Sequence, residues 1–364
     1  MSENKDYLNT QIITYIGNKR SLLNFIGEVI EDILKEEKKK KISIVDLFSG
    51  SGIVSRYLKR YSELLITNDL EGYSYTLNKC YLANKSEIDL DLLKEYYKKL
   101  NLELKNLSPG FITELYAPKD SEDIKKGERV FYTTRNAMYI DTAVEVINTF
   151  PEDIRPFFLG PLIVEASIKN NTGGVFKGFY KNELGIGQFG GRAENALSRI
   201  KSDIKIPFPI FSNYECKVIN YKKDSNKLVK ELDYVDLIYM DPPYNQHPYG
   251  SNYFMLNLIN DYKKPKSISR ISGIPNDWNR SDYNYPKKAL KSMKELCNNC
   301  NCKYILISFN NEGFISKEEM INMLSSIGKV KVFEKKYNTY KASRNLNNRN
   351  KYTYEYLFLV DKSK

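Results

Sequence analysis

The sequence predicts a doubly wound α/β sheet interrupted by a mostly helical insertion. Three observations carry that expectation. Short, β-branched apolar runs alternate with helical patterns at both ends of the chain. A glycine turn, "SGSG", joins the first of these runs to a helix. From about residue 82 to 202 the alternation stops and helical periodicity takes over. The expected division is 1–81 and 203–364 for the two parts of one sheet-bearing domain, with 82–202 as the insertion.

Taken in order, "IGNKRSLLNFIGEVIEDILKEE" carries Ile16, Leu22, Leu23, Phe25, Ile26, Val29, Ile30 and Ile33 at helical spacing. Lys38 to Lys41 then form an exposed turn. "ISIVDLF" has the apolar continuity of a buried parallel strand and runs into the glycines. A helix from Ile53 to Arg60 and a second strand, "LLITND", complete a βαβ unit ending at Asp69. In the middle, "FYTTRNAMYIDTAVEVINTF" and "IRPFFLGPLIVEASI" are helical, and Pro161 is expected to kink or break the second. "NNTGGVFKGFYKNELGIGQFGG" reads as a hairpin or irregular loop. Alternation resumes with "CKVINY", a helix near Asn226 to Leu232, and "VDLIYMD". "YPKKALKSMKELC" and "KEEMINMLSSIG" are helices either side of the strand "KYILISF". "KVKVFEKKY" and "YTYEYLFLV" close as a strand pair.

The totals narrow the class. A chain of 364 residues with 41% hydrophobic content can bury a full core. No run approaches the ~20 apolar residues of a membrane span, and "MSENKDYLNT" lacks a secretory pattern. Five cysteines, an odd number, read as reduced thiols of a cytoplasmic protein. The formal charge of +11 favours a polyanionic partner. "CNNCNC" offers Cys297, Cys300 and Cys302 but no fourth ligand, since the single histidine, His247, belongs to another motif. No metal is expected.

Two motifs carry chemistry. In "DLFSGSG", Asp46 ends a strand and Gly50 and Gly52 let backbone amides approach a ligand at a helix N-terminus. Asp46 could meet an amino group there, and Asp69, at the end of the next strand, stands where an acid holds ribose hydroxyls. No phosphate-loop lysine follows the glycines, which points to a nucleoside-type ligand without a triphosphate. In "DPPY", Pro242 and Pro243 remove two backbone donors beside Asp241. Asp241 and the Pro242 carbonyl can accept both hydrogens of an exocyclic amine, while Tyr244 stacks on the ring of a flipped base.

With these motifs on one chain, the sequence resembles the S-adenosylmethionine-dependent adenine-N6 DNA methyltransferases of the Dam-like (D12, alpha) class. The resemblance covers most of the chain. It implies a Rossmann-like methyltransferase sheet with helices on both faces and an inserted target-recognition region. "YIGNKR" resembles the class's cofactor-side motif through Tyr15, Gly17 and Lys19. "DLFSGSG", including Phe48, resembles the glycine motif that cradles the methionine part of the cofactor. Asp224 is the implied contact to the cofactor adenine. "NTGGVFKGFYKN" resembles the DNA-contacting hairpin, with Asn171, Gly174, Phe176, Lys177 and Lys181 as contacts. "YNQHPYGSNYFMLN" extends the similarity to a restriction-modification subgroup, with His247 where a basic residue is expected. The basic, aromatic loop "KKYNTYKASRNLNNRNKY" adds Lys341 and Arg344 as phosphate contacts.

The resulting expectation is site-specific adenine-N6 methylation of double-stranded DNA, with S-adenosylmethionine as cofactor. A cognate restriction endonuclease or a second methyltransferase is a possible partner. RNA or another exocyclic amine is the alternative substrate, and a non-catalytic nucleic-acid binder the alternative class. An NAD-type dehydrogenase fits less well, because the glycine turn does not complete GxGxxG.

Overall fold

The computed structural model describes residues 2–338 and 352–363. Among them are seven strands: β1 (Ile42–Asp46), β2 (Ser62–Asn68), β3 (Lys217–Tyr221), β4 (Val235–Met240), β5 (Cys302–Asn310), β6 (Lys329–Asn338) and β7 (Tyr352–Asp361). The helices are α1 (Leu23–Glu37), α2 (Ile53–Leu58), α3 (Gly72–Tyr81), α4 (Leu90–Glu103), α5 (Phe111–Tyr116), α6 (Thr134–Asn148) and α7 (Pro156–Ile168). They continue with α8 (Leu197–Lys201), α9 (Ser225–Leu228), α10 (Tyr249–Asn252), α11 (Phe254–Asp261), α12 (Pro286–Asn298) and α13 (Lys317–Ser325). The chain forms two compact units. One comprises Lys19–Leu70, Glu215–Pro248 and Arg280–Lys364, the other Met1–Asn18, Glu71–Tyr214 and Tyr249–Asn279.

The first unit holds the whole sheet, in the order β3-β2-β1-β4-β5-β7-β6. Its first five strands are parallel, while β7 runs antiparallel between β5 and β6. Every residue of β4 is buried, as a central strand covered on both faces requires. On one face Val45, Ile238 and Ile305 pack with Met293 and Leu296 of α12 and Leu324 of α13. Helices α1 and α2, packed on each other and through α2 on β1 and β2, flank the sheet as well. The chain reverses its winding between β1 and β4, so the carboxyl ends of these two strands form the switch point where open α/β sheets bind ligands. The "CNNCNC" cysteines are core residues here: Cys297, Cys300 and Cys302 are buried, and Cys300 Sγ donates to the Leu296 carbonyl.

The second unit is helical, with its own core around Phe131, Ile140, Leu162, Phe176 and Phe254. Its borders depart from the expected 82–202. Helix α3, expected to stay with the sheet, packs on α7 and α11, and Thr76 Oγ1 donates to Asn260 Oδ1 at 2.6 Å. The segment after "DPPY" joins the same unit, as do the first eighteen residues: Ile16 N–H donates to Tyr253 Oη at 2.7 Å. Pro161 does not end its helix either, because α7 runs from Pro156 to Ile168. Nine of the thirteen residues of α7 are buried, so packing of its apolar surface outweighs the roughly 3 kcal/mol that an interior proline costs. No described helix is long and apolar enough to cross a membrane.

Candidate active site

Asp46 ends β1 and pairs in register with Tyr239 of β4, two residues before Asp241. The loop after Asp46 needs left-handed backbone at Gly50 (φ 50°) and Gly52 (φ 75°), the latter leading directly into α2. The loop is tied down at three points. Gly52 N–H donates to the Ser49 carbonyl at 2.7 Å and Ser49 N–H to the Asn68 carbonyl at 3.0 Å. Gly50 N–H donates to Asp69 Oδ2 at 2.7 Å. Asp69, just past the end of β2, thus anchors the loop that follows Asp46. Phe48 projects from the loop and meets the Tyr283 ring edge-on at 5.4 Å.

Asp46 is fully buried. Its Oδ2 accepts from Ser55 Oγ at 2.6 Å, whereas Oδ1 has no hydrogen-bond partner among the described residues. Burial, resisted by the Ser55 hydroxyl and reinforced by Asp241, pushes this carboxyl up to about 7. A buried acid with one unsatisfied oxygen is costly for the fold alone, and a cationic or donor group completes it.

Asn68 organises the same edge from inside. Its Nδ2 donates to the Leu47 carbonyl (3.1 Å) and the Lys223 carbonyl (3.0 Å), and its Oδ1 accepts from Lys223 N–H (3.0 Å). One amide therefore joins the ends of β1, β2 and β3. Asn68→Ala leaves these buried groups unpaired and is expected to destabilise the fold by roughly 2–4 kcal/mol, read as a lowered urea midpoint. Asp224 lies just beyond β3, where its side chain caps α9 by accepting from Lys227 N–H at 3.1 Å.

At the end of β4, Asp241 Oδ1 lies 3.3 Å from the Lys19 ammonium. Lys19, only 3% exposed, also lies 3.5 Å from Glu355 Oε2 on β7 and 5.5 Å from the centre of the Tyr244 ring. Burial opposes the Lys19 charge, but Asp241 and Glu355 outweigh it and hold the ammonium well above its ordinary pKa. For Asp241 burial prevails over Lys19 and lifts the carboxyl to about 6. Tyr244 is held by an edge-on contact with Phe309 (5.6 Å) and by its carbonyl, which accepts from Phe314 N–H at 2.9 Å.

This unit therefore gathers Lys19, Asp46, Phe48, Gly50, Gly52, Asp69, Asp224 and the Asp241-Pro242-Pro243-Tyr244 segment. Tyr15 and Gly17 fall in the helical unit, where Tyr15 stacks on Tyr249 (4.9 Å) and Tyr253 (4.6 Å). The Lys19 ammonium, expected on the cofactor side, lies beside the Asp241 carboxylate. Glu355 went unnoticed in the sequence, although an acid inside the apolar strand pattern "YTYEYLFLV" was a signal.

In the helical unit, residues 180–188 form a hairpin bridged at Lys181 and Gly187. Gly174 (φ 108°) lies in the loop before it, and Lys177 and Lys181 are exposed. Two of the expected DNA contacts have buried side chains. Asn171 is enclosed and spends its amide on the Val130 and Gln188 carbonyls and Gly190 N–H. Phe176 is packed against Phe131, Tyr132 and Phe254. Both support the loop from within. His247 is exposed, its N–H donating to Asn245 Oδ1 at 3.0 Å. Lys341 and Arg344 lie outside the described residues.

A proline-flanked acceptor set beside a glycine turn at the switch point is the arrangement of methyltransferases that act on exocyclic amino groups. Within that class, the chain belongs to the D12 class N6 adenine-specific DNA methyltransferase family, whose model matches residues 15–323. It is 30% identical over 363 residues to the Type II methyltransferase M.NlaIII of Neisseria lactamica, covering 96% of this chain and 100% of that protein. M.CviAII of Paramecium bursaria Chlorella virus 1 is 28% identical over 340 residues, 91% of this chain and 93% of its own length. The modification methylase StsI of Streptococcus sanguinis is 28% identical over 366 residues, which span 52% of that longer protein.

Proposed function

We propose that this adenine-N6 DNA methyltransferase is the modification enzyme of a restriction-modification system and uses S-adenosylmethionine. The observation that carries the reading is the buried, half-satisfied Asp46 carboxylate one strand away from Asp241. The residues present fit such a cofactor. Asp46 Oδ1 would accept from the ammonium of its methionine part, the Gly50–Gly52 turn would admit its backbone-like portion, and Asp69 would hold the ribose hydroxyls. Bound there, S-adenosylmethionine supplies a methyl group activated on a sulfonium.

The chain's own residues then do four things. Asp241 and the Pro242 carbonyl accept the two hydrogens of the adenine N6 amine, which leaves its lone pair directed outward. Pro243 removes a competing backbone donor. The Tyr244 ring offers a face to the extruded base. A carboxyl poised at about 6 can also take up the proton that the amine sheds. Pairing with a cognate endonuclease is supported by the Type II designation of the relatives.

Nucleoside mass spectrometry of unmethylated duplex DNA, incubated with the protein and S-adenosylmethionine, tests the reading. N6-methyladenine in DNA is the expected product. A methylated base in an RNA substrate alone would overturn the assignment of the insertion to DNA.

The exposed lysines of the hairpin and of the loop before it make a separate expectation. Lys177→Ala with Lys181→Ala weakens DNA binding on all sequences alike and flattens the log affinity against log salt slope by roughly 1–2. Fluorescence anisotropy across a salt series measures it.

A further inference from the structure

The end of β4 holds one more carboxylate than amine orientation requires. Glu355 enters from β7, and the antiparallel pairing of Glu355 with Asn310 of β5 sets it at the carboxyl edge of the parallel strands, beside Asp241. Its Oε2 is buried and makes no hydrogen bond among the described residues, so its link to Lys19 at 3.5 Å is purely Coulombic. A buried carboxylate in that position destabilises the fold unless its charge is used. Lys19 by itself would cancel Asp241 and could slide across both of its oxygens. With Glu355 present, two acids share the ammonium, which lies 3.3 Å from Asp241 Oδ1 and 3.5 Å from Glu355 Oε2. The cluster thus sets two carboxyl groups against one ammonium. Among the described residues, the other titratable groups facing Asp241 are Asp46 from β1, Tyr239 of β4 itself and Tyr244. None of these supplies a second cation.

We propose that Glu355 is a positioning residue that draws the Lys19 ammonium away from Asp241, so that Asp241 remains a full acceptor for the target amine. The amine nitrogen gains positive charge as it attacks, and a buried cluster of two carboxyl groups against one ammonium stabilises that change. The inference rests on the reading that Asp241 accepts from the amine, and it adds a partner to that reading.

The test is a double-mutant cycle of Glu355→Gln and Lys19→Met, read as kcat at saturating DNA and cofactor, well above the Asp241 pKa. In the native background Glu355→Gln lowers kcat roughly 10- to 100-fold, with KM for DNA little changed. In the Lys19→Met background the same substitution costs little, because no ammonium remains to be restrained. The acid limb of the native pH-rate profile falls as pH drops through about 6, where Asp241 takes up a proton. Glu355 contributes to that raised value, so Glu355→Gln moves the limb to lower pH. Equal losses in both backgrounds, or an unmoved acid limb, overturn the proposal and leave Glu355 a structural residue. The double variant removes one charge of each sign, which keeps the buried balance and the fold testable. Full activity in Asp241→Ala would instead sink the underlying reading of Asp241.

Discussion

Asp241→Ala abolishes methyl transfer, lowering the single-turnover rate by on the order of 10³-fold or more, while S-adenosylmethionine still binds. The expectation follows from what one carboxylate does at the end of β4. It accepts an amine hydrogen, fixes the lone pair and balances the charge that develops on nitrogen. A 10³-fold loss corresponds to about 4 kcal/mol of transition-state stabilisation, the size expected when a buried acceptor in a preorganised site is removed. Cofactor affinity should change only a few-fold, because Asp46, the glycine turn and Asp69 hold their positions through bonds that do not involve Asp241. The fold should persist as well, since Lys19 keeps Glu355 as a counter-charge. Single-turnover methylation with calorimetric titration of the same sample measures both. A variant that neither methylates nor binds cofactor would assign Asp241 to the cofactor instead.

Asp46→Ala produces the complementary defect. Cofactor affinity falls by roughly 100-fold, about 3 kcal/mol, as expected when a buried charged acceptor is lost from a ligand's ammonium. The pH dependence carries a sign that can be checked. In the protein without ligand the Asp46 carboxyl is lifted to about 7, chiefly by burial. A cationic ligand favours the ionised form, so binding strengthens as pH rises through about 7 and weakens below it. Asp46→Ala removes this dependence together with the affinity. Calorimetry on both proteins at one pH above 7 and one below separates the outcomes. If native binding is as tight below pH 7 as above it, Asp46 does not meet the ammonium.

How much of this was legible in the sequence differs from residue to residue. Asp46, Asp69 and Asp241 could be located because each stands at or just past a strand end, and a buried parallel strand announces itself by an unbroken apolar run. Local chemistry sufficed there: glycines for positive φ, prolines for missing donors. The burial of Asn171 and Phe176 was not legible for the opposite reason. An asparagine and a phenylalanine in a glycine-rich loop look alike whether they face a groove or support the loop, and only burial separates the two. Pro161 was judged by its intrinsic cost to a helix, which the packing of α7 overrides.

By itself, then, the sequence determined the run of strands and helices, the two motifs and the class of reaction, since these depend on neighbours along the chain. Tertiary structure alone decided where the units divide, which candidate contacts are buried and which charges share the β4 edge. Lys19, Asp241 and Glu355 come from three distant parts of the chain and meet because β7 inserts antiparallel between β5 and β6. Strand order and direction are set by the packing of the whole sheet, and no local pattern encodes that a glutamate of the last strand faces a lysine near the first helix.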